Sequence, residues 1–235
     1  MLIPIRDDNP TRRFPIVTVA LIIINVSIYI YTLFLPGEKA LIEFYNQYAL
    51  FPKAIVTGQP VTSNSIHPVY LTLITSMFLH DSPSPLHVGF NMLFLWIFGN
   101  NVEDVFGRVK FIIFYLLVGI VGSALQIAIG PMSTVANIGA SGAISGVLAA
   151  YLVLFPTAKV LTVIPIIFFV ELIRIPAILV IGFWFLLQVL SIFISTPGGG
   201  GVAYFAHIGG FTSGLAITLL WPWRRRRRRR WYSLR

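Results

Sequence analysis

The sequence predicts an all-α polytopic membrane protein: a bundle of six transmembrane helices with both termini cytoplasmic. Three observations predict it. Hydrophobic residues make up 57% of the 235-residue chain and charged residues only 11%, where a soluble domain carries roughly 45–50% apolar and about 25% charged residues. Six apolar runs approach the roughly 17–25 residues that a helix needs to cross a bilayer. The basic residues between those runs fall almost entirely on one side. So few charges cannot clothe a water-facing surface, which excludes a soluble globule, a disordered chain and a fibre. Cys is absent, which removes disulfides, thiolate catalysis and Cys-metal sites.

The chain divides into a polar cytoplasmic segment (1–13), a membrane domain (14–222) and a basic cytoplasmic tail (223–235). The first apolar run, Phe14 to Leu35, follows Arg12-Arg13 and stops at Pro36-Gly37. It is too long for the apolar core of a cleaved signal peptide and lacks a small-residue cleavage site after it. The loop 36–69 carries Leu41, Phe44, Tyr45 and Tyr48 at helical spacing, which predicts an amphipathic helix on the outer leaflet. Leu86 to Val102 is the second run, Phe111 to Ile129 the third and the short Ser141 to Phe155 the fourth. Val160 to Val170 is apolar but broken by Pro165. A helix of that length reaches only about 16 Å, so it is expected to be an interfacial approach to the fifth run, Ala177 to Ile194. Gly198 to Gly201 separates that run from the sixth, Tyr204 to Trp221.

With cytoplasmic termini, fifteen of the seventeen basic residues lie inside and only Lys39 and Lys53 outside, the asymmetry that the positive-inside rule requires. The net charge of +9 owes most to the run Arg224 to Arg230. Behind a membrane span, such a run marks the cytoplasmic face and suits anionic lipid, so no nucleic-acid partner is expected.

Polar residues inside apolar helices are expensive and should face protein or water. The chief ones are His87, Asn91, Ser141 and His207. Taken singly, a membrane Ser usually bonds its own backbone and a membrane His usually packs between helices. Their depth argues otherwise. Fourteen residues separate Ser141 from Phe155, His207 from Trp221 and His87 from Asn101. At 1.5 Å per residue all three sit about 21 Å above the cytoplasmic boundary. Gly142 and Gly146, and Gly210 and Gly214, form two close-approach patterns that would let these helices meet. Packing them would carry the Ser141 hydroxyl toward the His207 ring.

A serine needs a base to become a nucleophile, and a nearby histidine can take its proton. No acid falls at the matching depth of runs two, four or six, so the expected catalytic unit is a Ser141–His207 dyad. His87 and Asn91, one turn apart on a helix face, and the Ser141 backbone N–H are candidate oxyanion donors. Gly139 and Gly142 flank the nucleophile and permit close backbone approach and an unusual turn.

These residues match a family. Gly139-Ala140-Ser141-Gly142 resembles the G-x-S-G signature of rhomboid intramembrane serine proteases, Ala206-His207-Ile208-Gly209-Gly210 resembles their histidine helix, and His87-x3-Asn91 resembles their oxyanion element. The order of the three elements also agrees, and the resemblance covers roughly residues 10 to 222. It implies a six-helix, rhomboid-like bundle around a water-filled cavity open to the outside. It also implies hydrolysis of transmembrane substrates near their outer ends. Two departures stand out. Some members stack an aromatic residue on the histidine from one turn after the nucleophile, where this chain has Ser145, so something else must hold the ring. The Trp-Arg pair that some members carry in the first outer loop is absent.

The expected function is therefore intramembrane serine endopeptidase activity on transmembrane protein substrates, with no cofactor and no metal. The lipid bilayer is the other expected partner. The alternative is a proteolytically inactive relative that binds or chaperones membrane helices, although such relatives usually lose the Ser or the His. A transporter lacks the expected internal repeat. A metal site of His80, His87 and His207 lacks an intramembrane carboxylate and any H-E-x-x-H pattern. With no added domain or targeting segment visible, a prokaryotic cell membrane is the expected home.

Overall fold

The computed structural model describes residues 3–63, 65–82, 84–166, 169–194 and 203–220. It is mostly helical, and its helices begin and end where the apolar runs do. Helix α1 (Ile16–Leu33) leads into the amphipathic α2 (Gly37–Tyr48) and the short α3 (Pro52–Thr57). A series of tight turns from Val69 to Phe78, including α4 (Thr72–Thr75), precedes a helix that runs unbroken from Pro85 to Phe106. Its two α-helical parts, α5 (Pro85–Phe94) and α6 (Asn100–Phe106), are joined by a π-helical turn at Leu95–Gly99. Helices α7 (Arg108–Ile129), α8 (Ser141–Leu154), α9 (Ala177–Ile194) and α10 (Tyr204–Leu220) complete the order. By length and composition, α1 and α7 are long and apolar enough to cross a membrane, and α8, α9 and α10 are shorter apolar helices.

Helix α8 is the core. Every residue from Ala143 to Tyr151 is buried, as is Leu154. A helix apolar on all sides has no solvent face to offer and ends up surrounded. Its neighbours approach through glycines. A side chain on Gly210 of α10 would collide with the Gly142 carbonyl, and one on Gly214 with the backbone of Gly146. A side chain on Gly122 of α7 would strike the Ala206 carbonyl, and one on Gly146 would strike Val118 of α7. Helices α7, α8 and α10 thus pack backbone to backbone, as small residues allow in membranes.

Two acidic groups, Glu103 buried and Asp7 half-buried, hold the opposite end. The Glu103 carboxylate accepts the N–H groups of Val17 and Thr18, at 3.0 and 2.7 Å, and the Thr18 hydroxyl at 2.8 Å. It satisfies the free donors of the α1 N-terminus, where a negative charge is favoured. Asp7 Oδ2 accepts the Tyr151 hydroxyl at 2.7 Å and the Asn101 amide at 2.9 Å, which ties the N-terminal segment to the foot of α8.

The all-α expectation needs a correction. Residues 160–166 and 169–170 do not form a helical approach to α9. A three-stranded antiparallel sheet lies there: β1 (Ile3–Asp7) pairs with β2 (Lys159–Ile166), which pairs with β3 (Phe169–Pro176). The physical reason is in the side chains. Val160, Thr162, Val163 and Ile164 are β-branched, and Val160 and Thr162, on one face, are both buried. Pro165 is tolerated because β1 pairs only as far as Val163, so no ladder bond is lost on that edge. The amphipathic helix expected in the first loop is present as α2, with Phe44 ringed by Tyr31, Tyr45 and Tyr48. The tetraglycine 198–201 and the arginine run lie outside the described residues.

Candidate active site

The site forms where the start of α8 meets α10. Gly139 has φ +124°, a conformation that favours glycine. A Cβ there would lie 3.0 Å from His87 Nε2 and 3.5 Å from Ser141 Oγ, so the missing side chain leaves room for both polar groups. The Gly139 N–H donates to the Ser76 carbonyl at 2.9 Å and fixes the turn. Ser141 is the first residue of α8, where backbone N–H groups have no partner within the helix.

His207 sits on α10, with 6% of its surface exposed. Its Nε2 lies 2.6 Å from Ser141 Oγ. The glycine seam explains the contact: Gly142 and Gly210, each near its functional neighbour, bring the two backbones together. Gly139 and Gly210 lie at tight contacts, and Gly142 supplies the backbone that Gly210 meets.

His87 is placed on the same side of the turn. Its Nδ1 accepts the Asp81 backbone N–H at 3.3 Å. In a neutral ring the proton is then on Nε2, the nitrogen that faces Gly139. Asn91 is buried one turn further along α5 and donates one amide N–H to the His87 carbonyl at 3.0 Å. Ser145 gives its hydroxyl to the Ser141 carbonyl at 2.6 Å, the ordinary back-bond of a helical serine.

The fifth apolar helix adds a polar group that the sequence reading did not single out: Gln188 Oε1 lies 2.7 Å from His207 Nδ1. Trp184, one turn earlier, places its ring 5.8 Å from the His207 ring at 37°. Tyr204 meets the same imidazole edge-on at 6.4 Å. These three groups, not a residue following the nucleophile, hold the imidazole. The missed signal was chemical: Gln188 is an amide in a stretch that is apolar but for it and Ser191, and such a group must face protein.

His80 was weighed only as a metal ligand. It is 1% exposed, packs edge-on to His87 at 5.0 Å, and has no hydrogen-bond partner on either ring nitrogen among the described residues. Burial, with His87 beside it, holds its pKa far below the usual histidine range, at about 3. No cluster of three His, Cys, Asp or Glu suited to a metal occurs among the described residues.

The chain is similar to several known proteins. Rhomboid protein 1, mitochondrial, of Saccharomyces cerevisiae is 32% identical over 123 residues, which cover 51% of this chain and 32% of that protein. Rhomboid protease GluP of Bacillus subtilis is 40% identical over 80 residues, 34% of this chain and 15% of that protein. Presenilin-associated rhomboid-like protein A, mitochondrial, of Danio rerio is 33% identical over 104 residues, 42% of this chain and 26% of that protein. The chain thus aligns with about a third or less of each relative. Both mitochondrial and bacterial proteins are among them, so they do not choose between a prokaryotic membrane and an organellar one. The Rhomboid domain profile matches residues 67–224, a span that takes in His87, Asn91, Ser141, Gln188 and His207 together, and the chain belongs to the rhomboid family.

Proposed function

We propose that this protein is an intramembrane serine endopeptidase that hydrolyses peptide bonds of transmembrane proteins. The observation that carries the reading is the 2.6 Å contact between Ser141 Oγ and His207 Nε2 on a seam of glycines. His207 takes the hydroxyl proton as Ser141 Oγ attacks the scissile carbonyl. The carbonyl oxygen becomes an oxyanion beside the Ser141 N–H, the His87 Nε2–H and the second amide N–H of Asn91, which act as its donors. Collapse breaks the C–N bond, and His207 returns the proton to the leaving amine. Water then repeats the sequence on the acyl-serine and releases the second product.

The six apolar helices and the charge asymmetry support a six-span arrangement with cytoplasmic termini. In that arrangement Ser141 lies toward the outer side, and the arginine tail meets anionic lipid on the inner side. Substrate helices then reach the site from the bilayer. The test is incubation of purified protein with single-span substrates in detergent and in liposomes, beside Ser141→Ala. Cleavage by the wild type alone, with fluorophosphonate labelling that requires Ser141, supports the reading. Labelling or cleavage undiminished in Ser141→Ala overturns it.

A further inference from the structure

We infer that Gln188 is a positioning residue that locks His207 in the tautomer able to accept the serine proton. This inference rests on the protease reading for its catalytic consequence, but not for its structural content. A neutral imidazole carries one proton, on Nδ1 or on Nε2, and only an unprotonated Nε2 can accept from Ser141. The two nitrogens of His207 have different partners: Ser141 Oγ at Nε2 and Gln188 Oε1 at Nδ1, at 2.6 and 2.7 Å.

The orientation of the Gln188 amide decides the tautomer. Its Nε2 points to the Trp184 carbonyl of the preceding turn, 3.5 Å away, a group that can only accept. That leaves Oε1, which can only accept, facing the ring. Nδ1 must then carry the proton and donate it, and the lone pair is on Nε2, toward Ser141. Trp184 presents its ring to the same imidazole from the same face of α9, so one helix face fixes both the tautomer and the tilt of the ring. A carboxylate would do the same job but would have to be stripped of water inside an apolar helix bundle, which is costly. An amide supplies the acceptor without a charge.

The experiment uses the full chain in detergent micelles with ¹⁵N-labelled histidine, the His207 signals being assigned with His207→Ala. Three variants accompany the wild type: Gln188→Leu and the near-isosteric Gln188→Met, which remove the acceptor, and Gln188→Glu, which keeps an oxygen there. In the wild type, ¹⁵N shifts should show His207 protonated at Nδ1. In Gln188→Leu and Gln188→Met the Nε2–H form should appear. The rate of fluorophosphonate labelling and kcat should fall together by about tenfold, the worth of one neutral hydrogen bond, with KM unchanged. Gln188→Glu should restore both readouts, and thermal melting in the same micelles controls for folding. A wild-type His207 protonated at Nε2, or unchanged tautomer and labelling rate in both Gln188→Leu and Gln188→Met, overturns the inference. Failure of the wild type to label overturns the protease reading instead, and the tautomer still judges Gln188.

Discussion

Helices α8 and α9 both touch the Ser141–His207 pair, yet they are built on opposite plans. Helix α8 is short and enclosed, with Ala143 to Tyr151 all buried and its glycines against the backbones of α7 and α10. Helix α9 is wider in side chain and largely uncovered, with Ile178, Leu179, Phe183, Leu186, Leu187, Leu190 and Phe193 exposed on the protein alone. It reaches the site through Trp184 and Gln188 on one face. Backbone-to-backbone packing cannot shift without collision, so α8 and α10 hold Ser141 and His207 at a fixed distance. A helix faced by lipid and linked to its neighbour by side chains can move further at lower cost. The comparison teaches a division of labour: the Ser141–His207 pair is fixed by glycines, and the ring orientation is set by a more loosely held neighbour.

The strongest test removes the pair itself. Ser141→Ala and His207→Ala should each reduce cleavage to background while melting near the wild type, because neither side chain carries the seam. The double variant should be no worse than either single one, as expected for groups acting as a unit. Ser145→Ala should cleave normally, since its hydroxyl is spent on the Ser141 carbonyl. Substrate turnover and melting of all four proteins check this.

Next in size is the donor side. Asn91→Ala should lower turnover by roughly 10²–10³, about 2.7–4 kcal/mol of transition-state stabilisation. If Asn91 only tied its helix together through the His87 carbonyl, melting would fall and turnover per folded molecule would not. Both quantities should be measured on one sample.

The seam should be less forgiving than its small residues suggest. Gly210→Ala places a methyl against the Gly142 carbonyl, which is backbone and cannot swing aside. Overpacking of this kind costs about 1–3 kcal/mol, sometimes more. It should also push His207 away from Ser141, so activity should drop further than stability does. Denaturation and fluorophosphonate labelling, read together, separate the two effects.

The foot of α8 gives a pH test. Burial raises the Asp7 carboxyl above its ordinary 3.8, against the opposing pull of hydrogen bonds from Tyr151 and Asn9. A raised native pKa means that the folded protein holds its proton more tightly than the unfolded chain does. That contribution is fully present below 3.8 and is lost as pH rises through the raised value. Asp7→Asn keeps an acceptor for Tyr151 and Asn101 and removes the ionisation. Its melting temperature should therefore gain on the wild type as pH rises across that window, and a parallel pair of pH series checks it. Asp7→Leu should lose about 1–3 kcal/mol at any pH, because it leaves the Tyr151 hydroxyl without its acceptor.

Much of this architecture was legible because membranes impose a simple grammar. The apolar runs located every long helix to within a few residues, and the spacing of Ser141, His207 and the glycines located the seam. The sheet was not legible, because β1 pairs residues 3–7 with residues 160–163 across most of the chain, and no local pattern announces such a partner. The run 160–170 was read by its length against a helix, when its β-branched residues were the better guide. Gln188 was not legible because the third member beside a Ser–His pair is usually a carboxylate, whereas a low-dielectric site favours a neutral acceptor. Asp7 gave no local signal either, because its partners Asn101 and Tyr151 lie far along the chain.

The smallest expected effect tests the other half of the comparison. Gly182 lies on α9, and a Cβ built there meets nothing within 4 Å. Its backbone is helical, so alanine fits without strain and narrows the unfolded ensemble. Gly182→Ala should therefore stabilise the protein by about 0.4–1 kcal/mol, the opposite sign to Gly210→Ala with the same chemical change. Thermal melting of the two variants in one detergent reads the contrast directly. If α9 contributes to catalysis only through the face bearing Trp184 and Gln188, turnover of Gly182→Ala should match the wild type. A fall in turnover without loss of stability would show instead that the flexibility a mid-helix glycine lends to α9 is used during the reaction. A fall in stability would mean that α9 is packed as closely as α8, and the division between fixed and loosely held helices would have to be abandoned.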